Sequence, residues 1–221
     1  MELSEAMRTA ASVRRFRLDP VPDDVLYRAL DSARFAPSGG NQQGWHVVVV
    51  RDASIREQLQ ELYLRSWRPL REMQATQARS TDAAGRRRPG TDEGDHYAMH
   101  LHELPTHLVV LVRRASLMTP FQVLNESPIW AGSSIYPFVQ NLLLAIRDEG
   151  LGTSLTMLFA NEEAEVLRLV AAPDGYAFVA HLGVGWPERP HPTRLRRRAV
   201  EEFATLNRFD GAPLLAGPAG A

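Results

Sequence analysis

Chemistry in this chain is most concentrated at Ala36-Pro37-Ser38-Gly39-Gly40-Asn41-Gln42-Gln43. Two adjacent glycines let backbone amides approach a flat ligand closely. Asn41, Gln42 and Gln43 each offer a donor and an acceptor, which suits a heterocycle edge of mixed polarity. On composition alone such a loop reads first as a plain turn, with Asn and Gly in turn positions. Two basic clusters stand far apart in the chain, Ser12-Val13-Arg14-Arg15 and Arg196-Arg197-Arg198. Guanidinium groups with a hydroxyl could converge on one phosphate, although a run of arginines alone is commonly a solvated surface. His96, His100 and His102 with Glu103 invite a metal reading if the segment is helical, because His96 and His100 would then share a face. They lie in a polar stretch without helical patterning, so no metal site is expected. Ser38 lacks the strand–turn glycine pattern of a hydrolase nucleophile. Arg86-Arg87-Arg88 is followed at once by Asp92, Glu93 and Asp95, the mark of a solvated loop and not of a nucleic-acid surface.

The elements that must position these residues read as alternating helices and buried strands. Helices are expected from Ser4 to about Ala11, with Leu3, Met7 and Ala10 on one face, and from Val21-Pro22-Asp23-Asp24 onward. In the second, proline and two acids suit a helix start, and Leu26, Ala29, Leu30 and Ala33 follow at helical spacing up to Pro37. Trp45 to Val50 reads as a buried strand. Ser54 with Glu57 makes a capping box for the next helix. Residues 68–102 read as a polar insertion or lid. His107 to Val112 is a second strand. Ser133 to Arg147 is a helix so apolar that it must be central or at a subunit interface. Gly150-Leu151-Gly152 breaks it before an extended Thr153 to Leu158. Asn161 can cap Glu162 to Val170, and Phe178 to Val184 is another strand. Tyr63, Trp67 and Trp130 suit core or interface packing. The expected unit is one domain of α/β or α+β class over 1–210, with a flexible tail over 211–221.

Composition limits the function classes. The 221 residues are 44% hydrophobic and 23% charged with a formal net charge of −1. That balance creates no whole-molecule field toward nucleic acid or anionic lipid. Without cysteine there is no disulfide and no thiolate nucleophile or ligand. Val47 to Val50 and Leu108 to Val112 are too short to span a bilayer, and no signal peptide is evident, so a cytoplasmic protein is expected.

Taken in order, the pieces resemble the nitroreductase family of FMN-dependent oxidoreductases. The matching elements are Ser12-Val13-Arg14-Arg15-Phe16, Pro20-Val21-Pro22, and Ala36-Pro37-Ser38-Gly39-Gly40-Asn41 with Gln43 and Trp45. Gln140 to Ala145, Gly150-Leu151-Gly152-Thr153, Gly183-Val184-Gly185-Trp186-Pro187 and Arg197 follow. Ala10 departs from the pattern, since members commonly carry a basic residue there, and so does Gly44, where they usually have proline. The resemblance implies a three-layer fold with a mostly antiparallel central sheet, flanking helices and one long central or interface helix. It implies FMN as cofactor and NADH or NADPH as electron donor, with a small nitroaromatic, quinone or related acceptor. Ser12, Val13 and Arg14 then match N-terminal flavin contacts, and Pro37, Ser38, Gly39 and Asn41 the loop along the ring. Leu155, Thr156 and Met157 match the segment beside the flavin N5, and Arg197 a phosphate ligand. No side chain need act as a nucleophile. The family's homodimers hold each flavin at the subunit interface, which accounts for an apolar 133–147 helix. A flavin-holding protein without redox activity is the alternative on the same scaffold.

Overall fold

The structure is a computed structural model that describes residues 1–81, 91–117 and 132–217. Trp130 and Arg86 to Arg88 lie outside them. Four strands form one antiparallel sheet in the order β1-β2-β4-β3: β1 (Trp45–Val50), β2 (Thr106–Arg113), β3 (Gly152–Thr156) and β4 (Tyr176–Gly185). The apolar runs of β2 and β4 take the centre. β2 is buried from Thr106 to Val112. β1 is an edge strand, so His46 and Val49 remain exposed and it is less buried than its four valines suggest.

Helices cover both faces, giving three layers. On one face α2 (Asp23–Ala33) and α5 (Tyr136–Asp148) form a core with Leu108, Val110 and Leu182, and α1 (Leu3–Thr9) packs against α5. On the other, α3 (Ala53–Thr81), α4 (Thr91–Met99) and α6 (Glu163–Leu169) enclose Leu59, Tyr97, Val109, Leu111 and Phe159. α2 buries Val25, Leu26, Ala29 and Ala33, close to the face its spacing predicts. α1 does not follow its pattern. Ala6 and Thr9 turn inward while Leu3 and Met7 stay exposed, because the Thr9 hydroxyl accepts a 3.1 Å bond from Arg147 Nε on α5.

Three local expectations are corrected. α3 starts one residue before the Ser54–Glu57 pair, since Asp52 Oδ1 accepts the Ile55 N–H at 3.0 Å. Asn161 does not cap α6; its amide donates to Ser66 Oγ. The 68–102 stretch is not irregular where described: α3 continues to Thr81 and α4 spans Thr91–Met99. At the other end, residues 212–214 of the segment expected as a tail double back. Leu206 N–H bonds Ala212 C=O, and Leu214 N–H bonds Ala204 C=O.

α5 ends as the glycines predict. Gly150 sits at φ +81°, where a side chain would be strained, and Leu151 N–H closes on Ile146 C=O at 3.1 Å. The chain can then turn directly into β3.

A histidine pair lies within the sheet. His107 Nδ1 and His181 Nε2 are 2.9 Å apart, both side chains are fully buried, and Phe159 packs on His181. Burial holds both rings neutral, lowering His107 to about 3 and His181 well below its usual value. The unfolded chain binds protons here below about pH 6.5 and the folded chain does not. Stability is therefore full above that pH and falls as pH drops through it, by up to about 1.4 kcal/mol per unit for each ring. Urea midpoints should be lower at about pH 5.5 than at about pH 7.5; equal midpoints would contradict this coupling.

Candidate functional site

The chain leaving α1 is pinned to the edge strand. Ser12 forms a parallel bridge with Thr153, and Val13 N–H donates to Thr153 C=O at 2.7 Å. Gly152 makes this approach possible, because a Cβ there would lie 2.6 Å from Val13 Cγ2. Farther on, Arg17 N–H bonds Trp186 C=O and Phe16 bridges Pro187. Between these anchors the arginines face a cavity of about 240 Å³, lined by Ser12, Arg14, Arg15, Glu93, Arg189 and His191 among others. Arg15 Nε lies 3.0 and 3.2 Å from the two Glu93 carboxylate oxygens. Among the described residues Arg14 and Arg189 make no ion pair. Among the described residues the cavity therefore carries surplus positive charge and a hydroxyl without a hydrogen-bond partner, the donor chemistry of an anion site.

Arg14 also borders a second cavity of about 230 Å³ with Phe16, His96, Tyr97, His100 and Glu188. α4 brings His96 and His100 to one face, their rings 4.4 Å apart, and His100 Nδ1 lies 3.0 Å from Glu103 Oε1. His102 faces away, toward Gln60. Among the described residues no group of three or more ligands could hold a metal ion. His96 is held below the usual histidine range by burial and then by Arg15, so it is a neutral hydrogen-bonding group at neutral pH.

Above β3, α3 and α4 contribute an aromatic wall. Tyr97 is buried beside Ser154 and Gly183, and burial raises its hydroxyl pKa. Tyr63 packs edge-on to Tyr97 and stacks on Trp67. One carboxylate latches the two helices. Asp95 Oδ1 accepts from Trp67 Nε1 at 2.9 Å, and Arg71 Nε and an Nη bond its two oxygens at 2.8 Å each. Arg71, then Trp67, holds the Asp95 carboxyl below its usual range. Sequence reading missed this latch; its signal is Gly94, where a Cβ would lie 2.8 Å from the Trp67 ring. Asp95→Ala removes a charge-assisted pair and leaves the Trp67 donor unpartnered, a loss of about 1–3 kcal/mol. Amide exchange in α4 should quicken relative to β2; unchanged exchange would show that the latch carries no stability.

The Ala36–Gln43 loop is held at the start of α5. Gly39 N–H donates to Ser134 Oγ at 3.0 Å, and Gln43 N–H to Ser38 Oγ at 3.0 Å. Asn41 Oδ1 accepts from Gln43 Nε2. Gly40, Asn41 and Gln43 all have positive φ, and for the glutamine this is strained backbone. Pro37, Gly39 and Asn41 are exposed, and no hydrogen bond joins this loop to Ser12–Arg14 among the described residues. Leu155 and Met157 are exposed on β3 and just after it, and the Tyr136 hydroxyl lies 3.7 Å from Met157 Sδ. The Thr156 hydroxyl accepts the Leu158 N–H. The structure thus joins Ser12 and Val13, with Arg14 next in the chain, to the strand that carries Leu155 and Thr156 and leads into Met157. Arg197 is exposed, bonds the Arg196 carbonyl and does not line the cavity.

Comparison with known proteins adds independent findings. The model of the family described as the nitroreductase family matches residues 7–186. A 5,6-dimethylbenzimidazole synthase of Rhodospirillum rubrum is 31% identical over 184 residues, covering 81% of this chain and 79% of that protein. An NADH dehydrogenase of Thermus thermophilus is 32% identical over 189 residues, covering 82% and 85%. A crystal structure of oxidised iodotyrosine deiodinase bound to FMN and 3-iodo-L-tyrosine superposes with a TM-score of 0.70. It is 26% identical and covers 92% of this chain and 100% of its own.

Proposed function

Because the chain belongs to the nitroreductase family, we propose that it is an FMN-dependent oxidoreductase. It draws electrons from NADH or NADPH and passes them to a small conjugated acceptor such as a nitroaromatic or a quinone. The observation that carries this reading is the Ser12–Thr153 bridge, which sets a cationic, hydroxyl-lined cavity beside the strand bearing Leu155 and Thr156, with Met157 just after it. That donor set suits a phosphorylated ligand, and the exposed apolar Leu155 and Met157 suit a flat ring. FMN joins the two chemistries in one molecule. When bound, it supplies hydride acceptance from a reduced nicotinamide and electron delivery to the second substrate.

The protein's own residues bind and polarise. Ser12, Val13 and Arg14 would hold the polar end, whereas Arg197 stands outside this cavity. Arg14, free of any ion pair among the described residues, offers fixed charge to whatever negative charge develops beside it, with no reorganisation during reaction. Tyr63, Trp67 and Tyr97 form an apolar wall that limits water above β3. Pro37, Ser38, Gly39 and Asn41 would complete the site of a second subunit. A homodimer is supported by α5, which buries Phe138, Val139, Leu142 and Ile146 but leaves Tyr136 exposed and Leu143 and Leu144 only half-covered. A dimer would bury that face.

The named relatives differ in reaction, a synthase, a dehydrogenase and a deiodinase, so the acceptor is the part of the reading to be tested by assay. The first experiment is the absorption spectrum of the purified protein. The expected result is a flavin band, or its appearance after addition of FMN and gel filtration. A protein that stays colourless after both would overturn the proposal.

A further inference from the structure

Met157 follows β3 directly and keeps its side chain in the open. Its backbone is fixed, since the carbonyl accepts the Ala160 N–H at 2.9 Å, while the residue is 44% exposed. The sulfur has a polar neighbour, the Tyr136 hydroxyl, which donates to Sδ at 3.7 Å. In a chain without cysteine, the methionine thioether is the soft group most open to oxidation. The other described methionines, Met1, Met7, Met73 and Met99, are all more exposed, at 49–57%. An oxidant arriving from bulk water would therefore reach those four first.

The site itself is a source of oxidant. When no organic acceptor is present, dioxygen can take the two electrons of the reduced nicotinamide through the flavin, with two protons, and leave as hydrogen peroxide. Leu155 and Met157 meet the flavin ring in the reading above, so the peroxide is released beside the Met157 sulfur. The Tyr136 hydroxyl is placed for the oxygen transfer that follows. A sulfur lone pair attacks one peroxide oxygen, the S–O bond forms as the O–O bond breaks, and the thioether is oxidised by two electrons. The distal oxygen departs as hydroxide and takes the Tyr136 proton to become water. The proton left on the transferred oxygen then returns to Tyr136. The sulfoxide oxygen is a stronger acceptor for that hydroxyl than the thioether it replaces.

We propose that Met157 is a self-modification site, oxidised to methionine sulfoxide by peroxide made at the adjoining flavin, with Tyr136 as the proton donor. The assignment rests on the FMN reading above and goes beyond it by giving the site a brake linked to its own turnover. Sulfoxide turns a flexible apolar side chain into a polar one, so a flat ring loses its apolar contact there.

The test is aerobic turnover of the flavin-loaded full-length protein with NADH and with NADPH, without an organic acceptor and with excess catalase to clear peroxide from bulk solution. Peptide mass spectrometry then follows the oxygen added at each methionine. Met157 should gain oxygen ahead of Met7, Met73 and Met99, although it is less exposed than they are. Hydrogen peroxide added without nicotinamide or catalase should reverse that order. Tyr136→Phe removes one exposed hydroxyl and should slow oxidation of Met157 during turnover several-fold, with the other three unchanged. Turnover in which Met157 stays unmodified, or lags the more exposed methionines, would overturn the proposal and leave the FMN reading intact. Equal oxidation of Met157 in wild type and Y136F would overturn it as well. If neither nicotinamide is consumed, the FMN reading fails and the proposal falls with it.

Discussion

Replacing Phe138 by alanine is expected to destabilise the protein by about 3–5 kcal/mol, the largest single loss we foresee. Phe138 is only 2% exposed and lies on the inward face of α5 with Val139, Leu142 and Ile146. Its ring stacks on Trp45, centroids 4.8 Å apart and planes within 8°. Removing it loses the transfer energy of a buried aromatic and leaves a cavity that the surrounding Leu142 and Val110 cannot fill without backbone movement. The consequence reaches the candidate site. Trp45 opens β1 directly after the 36–44 loop, and Ser134, which holds Gly39, precedes α5 by two residues. A loosened Trp45 therefore frees the loop from both sides. Chemical denaturation of wild type and Phe138→Ala measures the effect. A loss below about 1 kcal/mol would show that α5 does not anchor this face of the sheet.

Arg14→Met should act on the ligand and not on the fold. The side chain is exposed and makes no ion pair among the described residues, so the flavin-free protein should unfold within about 0.5 kcal/mol of wild type. Methionine keeps much of the side chain's length and apolar stem while removing the guanidinium. FMN affinity should fall by about 10- to 100-fold, the worth of a charge-assisted hydrogen bond. Reduction of the remaining bound flavin by nicotinamide should also slow, because the compensating positive charge is gone. Equilibrium titration and anaerobic rapid mixing separate the two effects. Wild-type affinity together with a wild-type reduction rate would place Arg14 outside the site.

How far these features could be read from the chain depends on where their stability resides. β2, β4 and α5 were plain in the sequence because their apolar residues alone dictate burial, and the glycines at 150 and 152 mark the break between α5 and β3. The α3–α4 extension was not. Its described residues are held by pairs such as Arg71–Asp95 and Arg15–Glu93, which lie 24 and 78 positions apart and leave no local period to detect. α1 misled for a related reason, since a polar contact between Thr9 and Arg147 outweighs the pattern of a two-turn helix. At the candidate site, the residue types around Ser12 and Arg14 suggested an anion, and the resemblance to a flavoprotein family connected them to Leu155, Thr156 and Met157. The physical link is one backbone hydrogen bond, Val13 to Thr153, which no periodicity encodes. Arg189 and His191 escaped notice because they belong to no motif and share a cavity with Ser12 only once the chain past Trp186 folds back toward α1. That return is visible in the Leu195 N–H to Arg8 C=O bond.

The central claim is that this chain holds FMN and turns it over with a reduced nicotinamide. Its most direct test is an anaerobic titration of the flavin-loaded protein with NADH and with NADPH, followed in the visible flavin band. The account predicts that at least one of them bleaches the band stoichiometrically and that a quinone or nitroaromatic added afterwards restores it. A band that persists under both nicotinamides would contradict the account and leave a protein that binds flavin without using it.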